Sequence, residues 1–165
     1  MNRSNKINTK QINLLQVLPH LNSGGMVSGA IEIANFLKSK GGKSIVASSG
    51  GYREIEIKKN DCISINLPLD RKNPFSIYKN KKKIINIIKK YNINIVHARS
   101  RAPAWSAYLA SKESDTAFIT TFHGTYGTEN FIKKKYNSVM LKGDYVIAIS
   151  NFIREHIEKE YKKKK

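Results

Sequence analysis

A single cysteine, Cys62, excludes an intrachain disulfide and fits a reducing compartment. No apolar run approaches the roughly 20 residues that span a bilayer. The stretch from Ile12 to Leu18 is too short for a signal-peptide core, and no small-residue cleavage site follows it. The expected location is therefore the cytoplasm. Four scattered histidines (His20, His97, His123 and His156) and one cysteine give no metal-ligand spacing, so no metal is expected. The dinucleotide fingerprint, the P-loop, the nucleophile elbow and the protein-kinase signature are all missing. Acidic residues are few: 12 stand against 30 Lys and Arg, for a formal net charge of +18. Such a charge invites a nucleic-acid or membrane reading. Lys, Ile and Asn dominate the sequence, however, and all have A/T-rich codons, which accounts for the lysines without selection for a partner. Aromatics are not interleaved with the lysines as stacking platforms would be, so no nucleic-acid partner is expected. A basic face still attracts anionic lipid, whatever its origin.

What is present is one domain's worth of chain, 165 residues with 40% hydrophobic content. Short apolar runs alternate with helical patterns throughout. Strands are predicted at Ile12–Leu18, Lys43–Ser48, Cys62–Leu67, Ile93–Val96, Ala117–Phe122 and Tyr145–Ile149. Helices are predicted at Met26–Ser39, Pro74–Lys90, Ala102–Lys112 and Glu129–Leu141, with a short one near Tyr52–Lys59. Ser150 caps a last helix that runs into the lysine tail at 162–165. Met26, Ala30, Ile33, Ala34 and Leu37 form the expected buried stripe of the first helix. Asn73-Pro74 is a good helix start, with Asn as cap and Pro at the first position. Strand–helix alternation of this kind predicts an α/β fold: a doubly wound, Rossmann-like parallel sheet of about six strands with helices on both faces.

The unusual residues fall at the carboxyl ends of the predicted strands, where open parallel sheets bind ligands. Gly24-Gly25 lies between the first strand and a helix N-terminus, which suits a phosphate or another anion as well as a plain turn. His97-Ala98-Arg99-Ser100-Arg101 puts two guanidinium groups, forks for phosphate, carboxylate or sugar hydroxyls, on a site-facing loop. Trp105, one turn on, reads as core. His123-Gly124-Thr125-Tyr126 places a histidine at a strand end, able to bond a sugar hydroxyl or move a proton.

The Gly-Gly loop, His-Ala-Arg-Ser-Arg-Ala-Pro-Ala-Trp at 97–105, Thr-Thr-Phe-His-Gly-Thr-Tyr-Gly at 120–127 and Val-Ile-Ala-Ile-Ser at 146–150 together resemble the N-terminal domain of family 4 glycosyltransferases of the GT-B fold, alphaproteobacterial ones closely. The resemblance covers Ile12 to about Ile157. It implies two Rossmann-like domains across a cleft, with the N-terminal one mainly holding the acceptor and the other the nucleotide sugar. It implies a retaining, metal-independent transfer with no cofactor beyond the donor substrate. Acceptors in the family are often lipids or envelope glycans, so lipopolysaccharide or cell-envelope synthesis and peripheral contact with the inner face of an anionic membrane are the expected setting. By this resemblance Gly24 and Gly25 approach the donor phosphates, and His123 is catalytic. The acceptor side is lined by His97, Arg99, Arg101, Gly124, Thr125, Tyr126 and Ser150.

Two departures stand out. Many relatives read Gly-Gly-x-Glu-Arg where this chain has Gly24-Gly25-Met26-Val27-Ser28. The sequence reads as stopping at Lys165 before the expected donor domain, and a lysine run encoded by adenines is a common place to lose the frame. The sequence therefore reads as a truncated or split hexosyltransferase, inactive until a donor domain completes the cleft. The alternative is a non-catalytic basic module that binds anionic lipid or glycan.

Overall fold

A computed structural model describes residues 12–59, 61–127 and 130–161. The expected lysine tail at 162–165 and the predicted helix start at Glu129 lie outside these residues. The element order is β1 (Asn13–Val17), α1 (Gly25–Ser39), β2 (Lys43–Ser48), α2 (Glu54–Lys59), β3 (Ile63–Asn66), α3 (Pro74–Tyr91), β4 (Ile95–Ala98), α4 (Arg101–Glu113), β5 (Ala117–Phe122), α5 (Phe131–Asn137) with a 3-10 turn (Ser138–Leu141), β6 (Tyr145–Ala148) and α6 (Asn151–Tyr161).

All six strands are parallel, in the order β3-β2-β1-β4-β5-β6. The order reverses between β1 and β4, which makes that gap the topological switch point. Apolar runs buried on both faces drive the sheet together: Leu15, Val17, Ile45, Val46, Ala47 and Val96 are fully buried. One core cluster joins the sheet to α3, α4 and the 3-10 turn through residues such as Ile84, Ile88, Ala107, Phe122 and Met140. A second, smaller one joins it to α1 and α2 through Val27, Ala30, Ile31, Ala34 and Ile57.

Local signals act as their chemistry requires. The Asn73 side chain accepts from Ser76 N at 2.8 Å, with Pro74 at the first turn of α3. Ser150 Oγ accepts from Ile153 N at 3.2 Å and caps α6. Three expectations are corrected. The buried stripe of α1 is Val27, Ala30, Ile31, Ala34 and Leu37, while Ile33 is exposed and Met26 half-buried. The two sets differ by a rotation of the helix, and packing on β2 and α2 selects the one observed. β4 begins two residues later than predicted, because Leu14 to Val17 of β1 pair with Ile95 to Ala98. His97 and Ala98 are therefore strand residues. α5, predicted to run to Leu141, ends at Asn137, and a 3-10 turn carries the chain to β6.

The loops after β1 and β2 are laced together at the carboxyl edge. Leu21 N donates to Gly50 O at 2.8 Å, and Arg53 N donates to Leu21 O at 3.0 Å. Gly51 permits this approach: it sits at φ 149, and a Cβ there would lie 2.3 Å from the Leu21 carbonyl carbon and oxygen. Gly51→Ala is expected to destabilise the fold by about 2–3 kcal/mol, since backbone must give way on one side or the other. Urea unfolding measures it, and an unchanged midpoint would show that the two loops can part freely.

Candidate functional site

The switch point holds a polar cluster made by three strands and a helix. β1 carries Gln16 in the middle of an apolar run, and it is fully buried. Its Nε2 donates to Ala30 O of α1 at 2.8 Å, and its Oε1 accepts from Arg99 Nε at 2.9 Å. Arg99, just past β4, is only 4% exposed. Its other nitrogens reach the carbonyls of Met26 at 3.5 Å and Gly29 at 3.3 Å in the first turns of α1. Gly29 makes the room, since a Cβ there would stand 3.3 Å from the Arg99 guanidinium. Arg99 therefore turns inward beneath α1, where the sequence suggests an outward-facing acceptor contact.

His97 also faces inward, from β4. Its Nε2 lies 2.7 Å from Thr121 Oγ1 of β5. Burial, the Arg99 charge and His123 together hold it down to about 3, so the ring is neutral at physiological pH. His123 follows β5 and is half-buried. Burial and then the Arg99 charge lower its pKa as well. Its Nε2 is shielded from solvent and has no hydrogen-bond partner. A buried ring nitrogen left so is costly, and a ligand hydroxyl or a water that bonds it returns that free energy. Neutral imidazole is also the form that can accept a proton.

Gly24 and Gly25 open α1 beside this cluster. Gly24 lies at φ 105, no side chain caps the helix, and added Cβ atoms at either glycine would meet open space. The helix start is thus unobstructed, as approach of an anionic group requires.

A second cluster lies over β5 and α4. The Arg101 guanidinium sits 4.2 Å from the centroid of the Tyr126 ring, which packs on Phe122 at 5.1 Å. Arg101 also donates to Asn137 Oδ1 at 3.0 Å, and Asn137 Nδ2 donates to Gly127 O at 3.0 Å. Tyr126 N donates to His156 Nε2 of α6 at 3.3 Å. These bonds pin the loop that carries Gly124, which has open space around it, and Thr125, which is exposed. Ser150 is exposed at the end of β6 and joins neither cluster by a hydrogen bond; its hydroxyl serves the α6 cap. Trp105 packs on the main core and donates to Tyr136 O at 3.0 Å. Among the described residues, no group of three or more His, Cys, Asp or Glu is placed to hold a metal ion.

Sequence reasoning missed Gln16, Thr121, Asn137, His156 and Arg53, whose guanidinium donates to Ser28 Oγ at 2.8 Å and binds Glu56 in a fork. Gln16 carried a readable signal, a polar residue inside an apolar strand. The others are brought in only by tertiary packing.

A parallel sheet in this order, with a glycine loop and polar residues at its switch point, defines a Rossmann-like α/β domain like those of GT-B enzymes. Residues 23–165 match the family model Glycosyltransferase Family 4, and the chain belongs to that family. A glycosyltransferase from Rickettsia africae ESF-5 shares 51% identity with it at a TM-score of 0.81, over 92% of this chain and 40% of the other. Anabaena Alr3699/HepE, solved with UDP-glucose, is 14% identical at a TM-score of 0.71, over 90% of this chain and 40% of its own. Acinetobacter baumannii MurG is 16% identical at 0.62, over 83% and 41%. The last two share the fold. No curated protein matches the sequence. The chain thus spans about 40% of the length of these relatives. No helix among the described residues is long and apolar enough to cross a membrane.

Proposed function

We propose that this chain is the acceptor-side, N-terminal half of a nucleotide-sugar-dependent glycosyltransferase. Family membership over residues 23–165 is the observation that carries the reading. The donor is a nucleotide sugar, as in the distant relative that binds UDP-glucose. Transfer is of a hexosyl group, with retention and without a metal. The acceptor is a lipid-linked or envelope glycan such as lipopolysaccharide, met at the inner face of the cytoplasmic membrane. Gly24 and Gly25 border the donor phosphates. His123 contacts the reacting sugar or acceptor hydroxyl, its half-buried ring turning to bring the unpartnered, shielded Nε2 to the bond. Arg101, Gly124, Thr125 and Tyr126 line the acceptor side. His97 and Arg99 act from beneath by holding the strand ends, and Ser150 lies where the chain leaves toward the donor domain. On this reading residues 1–165 by themselves supply one side of a two-domain cleft, and turnover needs the donor side as well.

The test joins this chain in frame to the C-terminal portion of the Rickettsia africae relative and assays UDP-hexoses with a soluble glycan acceptor. The chimera is expected to transfer sugar and the isolated chain not to. His123→Ala in the chimera is expected to lower kcat by about a hundredfold, the scale of a lost general acid–base or hydroxyl contact. Wild-type turnover in that variant would remove His123 from the chemistry.

A further inference from the structure

We propose that the segment from Phe131 to Lys135 docks the protein onto an anionic lipid bilayer. The inference deepens the acceptor reading above by naming the surface that meets the membrane. Phe131 and Ile132 are 79% and 75% exposed, the most open of the large apolar side chains described. They are adjacent at the start of α5, and Lys133, Lys134 and Lys135 follow at once, all exposed. The first turn of the helix has no acidic residue. None of the three lysines forms an ion pair among the described residues. Apolar tips ringed by uncompensated ammonium groups match a bilayer interface that offers acyl chains below anionic headgroups.

The aromatic and basic surfaces of α1 and α3 are built differently. On α3 the exposed Phe75 and Tyr78 carry lysine ammonium groups on their rings, Lys79 at 4.3 Å and Lys82 at 4.8 Å from the centroids. Phe36 has Lys40 at 5.7 Å. Those rings are already engaged, whereas no cation sits on Phe131 among the described residues. The position of α5 also fits. Asn137 at its far end bonds both Arg101 and the Gly127 carbonyl. A bilayer met by Phe131 and Ile132 would therefore lie next to the acceptor-side loop, where a lipid-linked acceptor has to enter.

The chain's net charge makes non-specific adhesion the competing explanation, so the experiment separates the two. Sedimentation with vesicles of phosphatidylcholine and phosphatidylglycerol (3:1) at about 0.15 M salt reads partition of this chain. Phe131→Ser with Ile132→Ser leaves the charge unchanged and is expected to lower partition at least tenfold. Lys133→Gln, Lys134→Gln and Lys135→Gln together are expected to do the same. Removing as many charges from α3, by Lys79→Gln, Lys82→Gln and Lys83→Gln, is expected to change it less than threefold. All of these side chains are exposed, so the fold is not at stake, and circular dichroism confirms it. Undiminished binding by the Phe131/Ile132 variant overturns the proposal. An equal loss from the α3 variant, or no binding by the wild type, overturns it too. Vesicle binding is read on this chain and sugar transfer on the chimera with a soluble acceptor, so each can fail without the other.

Discussion

Arg99→Met is expected to destabilise the domain by about 2 kcal/mol, the scale set by stranding one buried acceptor. Arg99 is a cation buried to 4% exposure, and its bonded partners are the Gln16 carboxamide and the carbonyls of Met26 and Gly29. Burial pushes its pKa down to about 10, which still leaves it charged at neutral pH. Two effects oppose each other in the substitution. Methionine fills similar space and removes a desolvated charge, which favours the variant. It also strands Gln16 Oε1, which costs about 1–3 kcal/mol when left unbonded in the interior, and takes a second donor from two carbonyls that keep their bonds within α1. The second effect wins because Gln16 is held in β1 with its Nε2 bonded to Ala30 O, so its oxygen cannot turn to another donor. Guanidinium denaturation at constant m should show the loss as a lower midpoint. Arg99→Lys should fare little better, since an ammonium cannot span three acceptors on two elements. A second readout separates electrostatics from packing. With the Arg99 charge gone, the His123 imidazole should titrate closer to its ordinary value by NMR. An Arg99→Met variant as stable as the wild type would mean that burying the charge costs as much as its bonds return.

The fold was legible because its signals are local and repeated. Asn73-Pro74 and Ser150 start helices by their own side chains, and the apolar runs of Lys43–Ser48 and Ala117–Phe122 fall where the strands form. β4 was displaced because the ends of its run, Ile93-Asn94 and His97-Ala98, are equally readable as strand or loop, and only pairing with β1 selects the register. At the site, sequence located the strand ends and their chemistry-bearing residues. It could not tell which way the side chains turn. His97 and Arg99 look like loop residues offering polar groups to a ligand, yet both turn inward because Gln16 and Thr121 stand ready as partners across the sheet. A sharper reading was available in two oddities: a glutamine inside β1 and a glycine, Gly29, inside α1. Each is locally unfavourable, and both are explained by the one guanidinium between them.

The same inward turn of His97 predicts a strong acid sensitivity. The ring is held down to about 3 in the folded state, first by burial and then by the charge of Arg99 and by His123. In the unfolded chain it returns to about 6.5. Between those values the unfolded state binds a proton that the folded state refuses, so stability rises with pH across that interval and is lost as pH falls through it. The linkage amounts to about 4–5 kcal/mol by pH 3, roughly 2–3 of it between pH 6.5 and 4.5. Against a usual domain stability of about 5–15 kcal/mol, that is a large part of the margin for a domain at the low end of the range. His123 is lowered too and adds in the same direction. Carboxylates such as Glu54, lowered by its bond with Lys58, contribute only at more acid pH. His97→Gln tests the assignment, because its amide nitrogen can still donate to Thr121 Oγ1 but carries no proton to gain. Urea midpoints measured from pH 7 to 4.5 should fall steeply for the wild type and clearly less for the variant. Equal slopes would place the acid sensitivity elsewhere, and a flat wild-type profile would mean that the fold accepts a charged His97 beside Arg99.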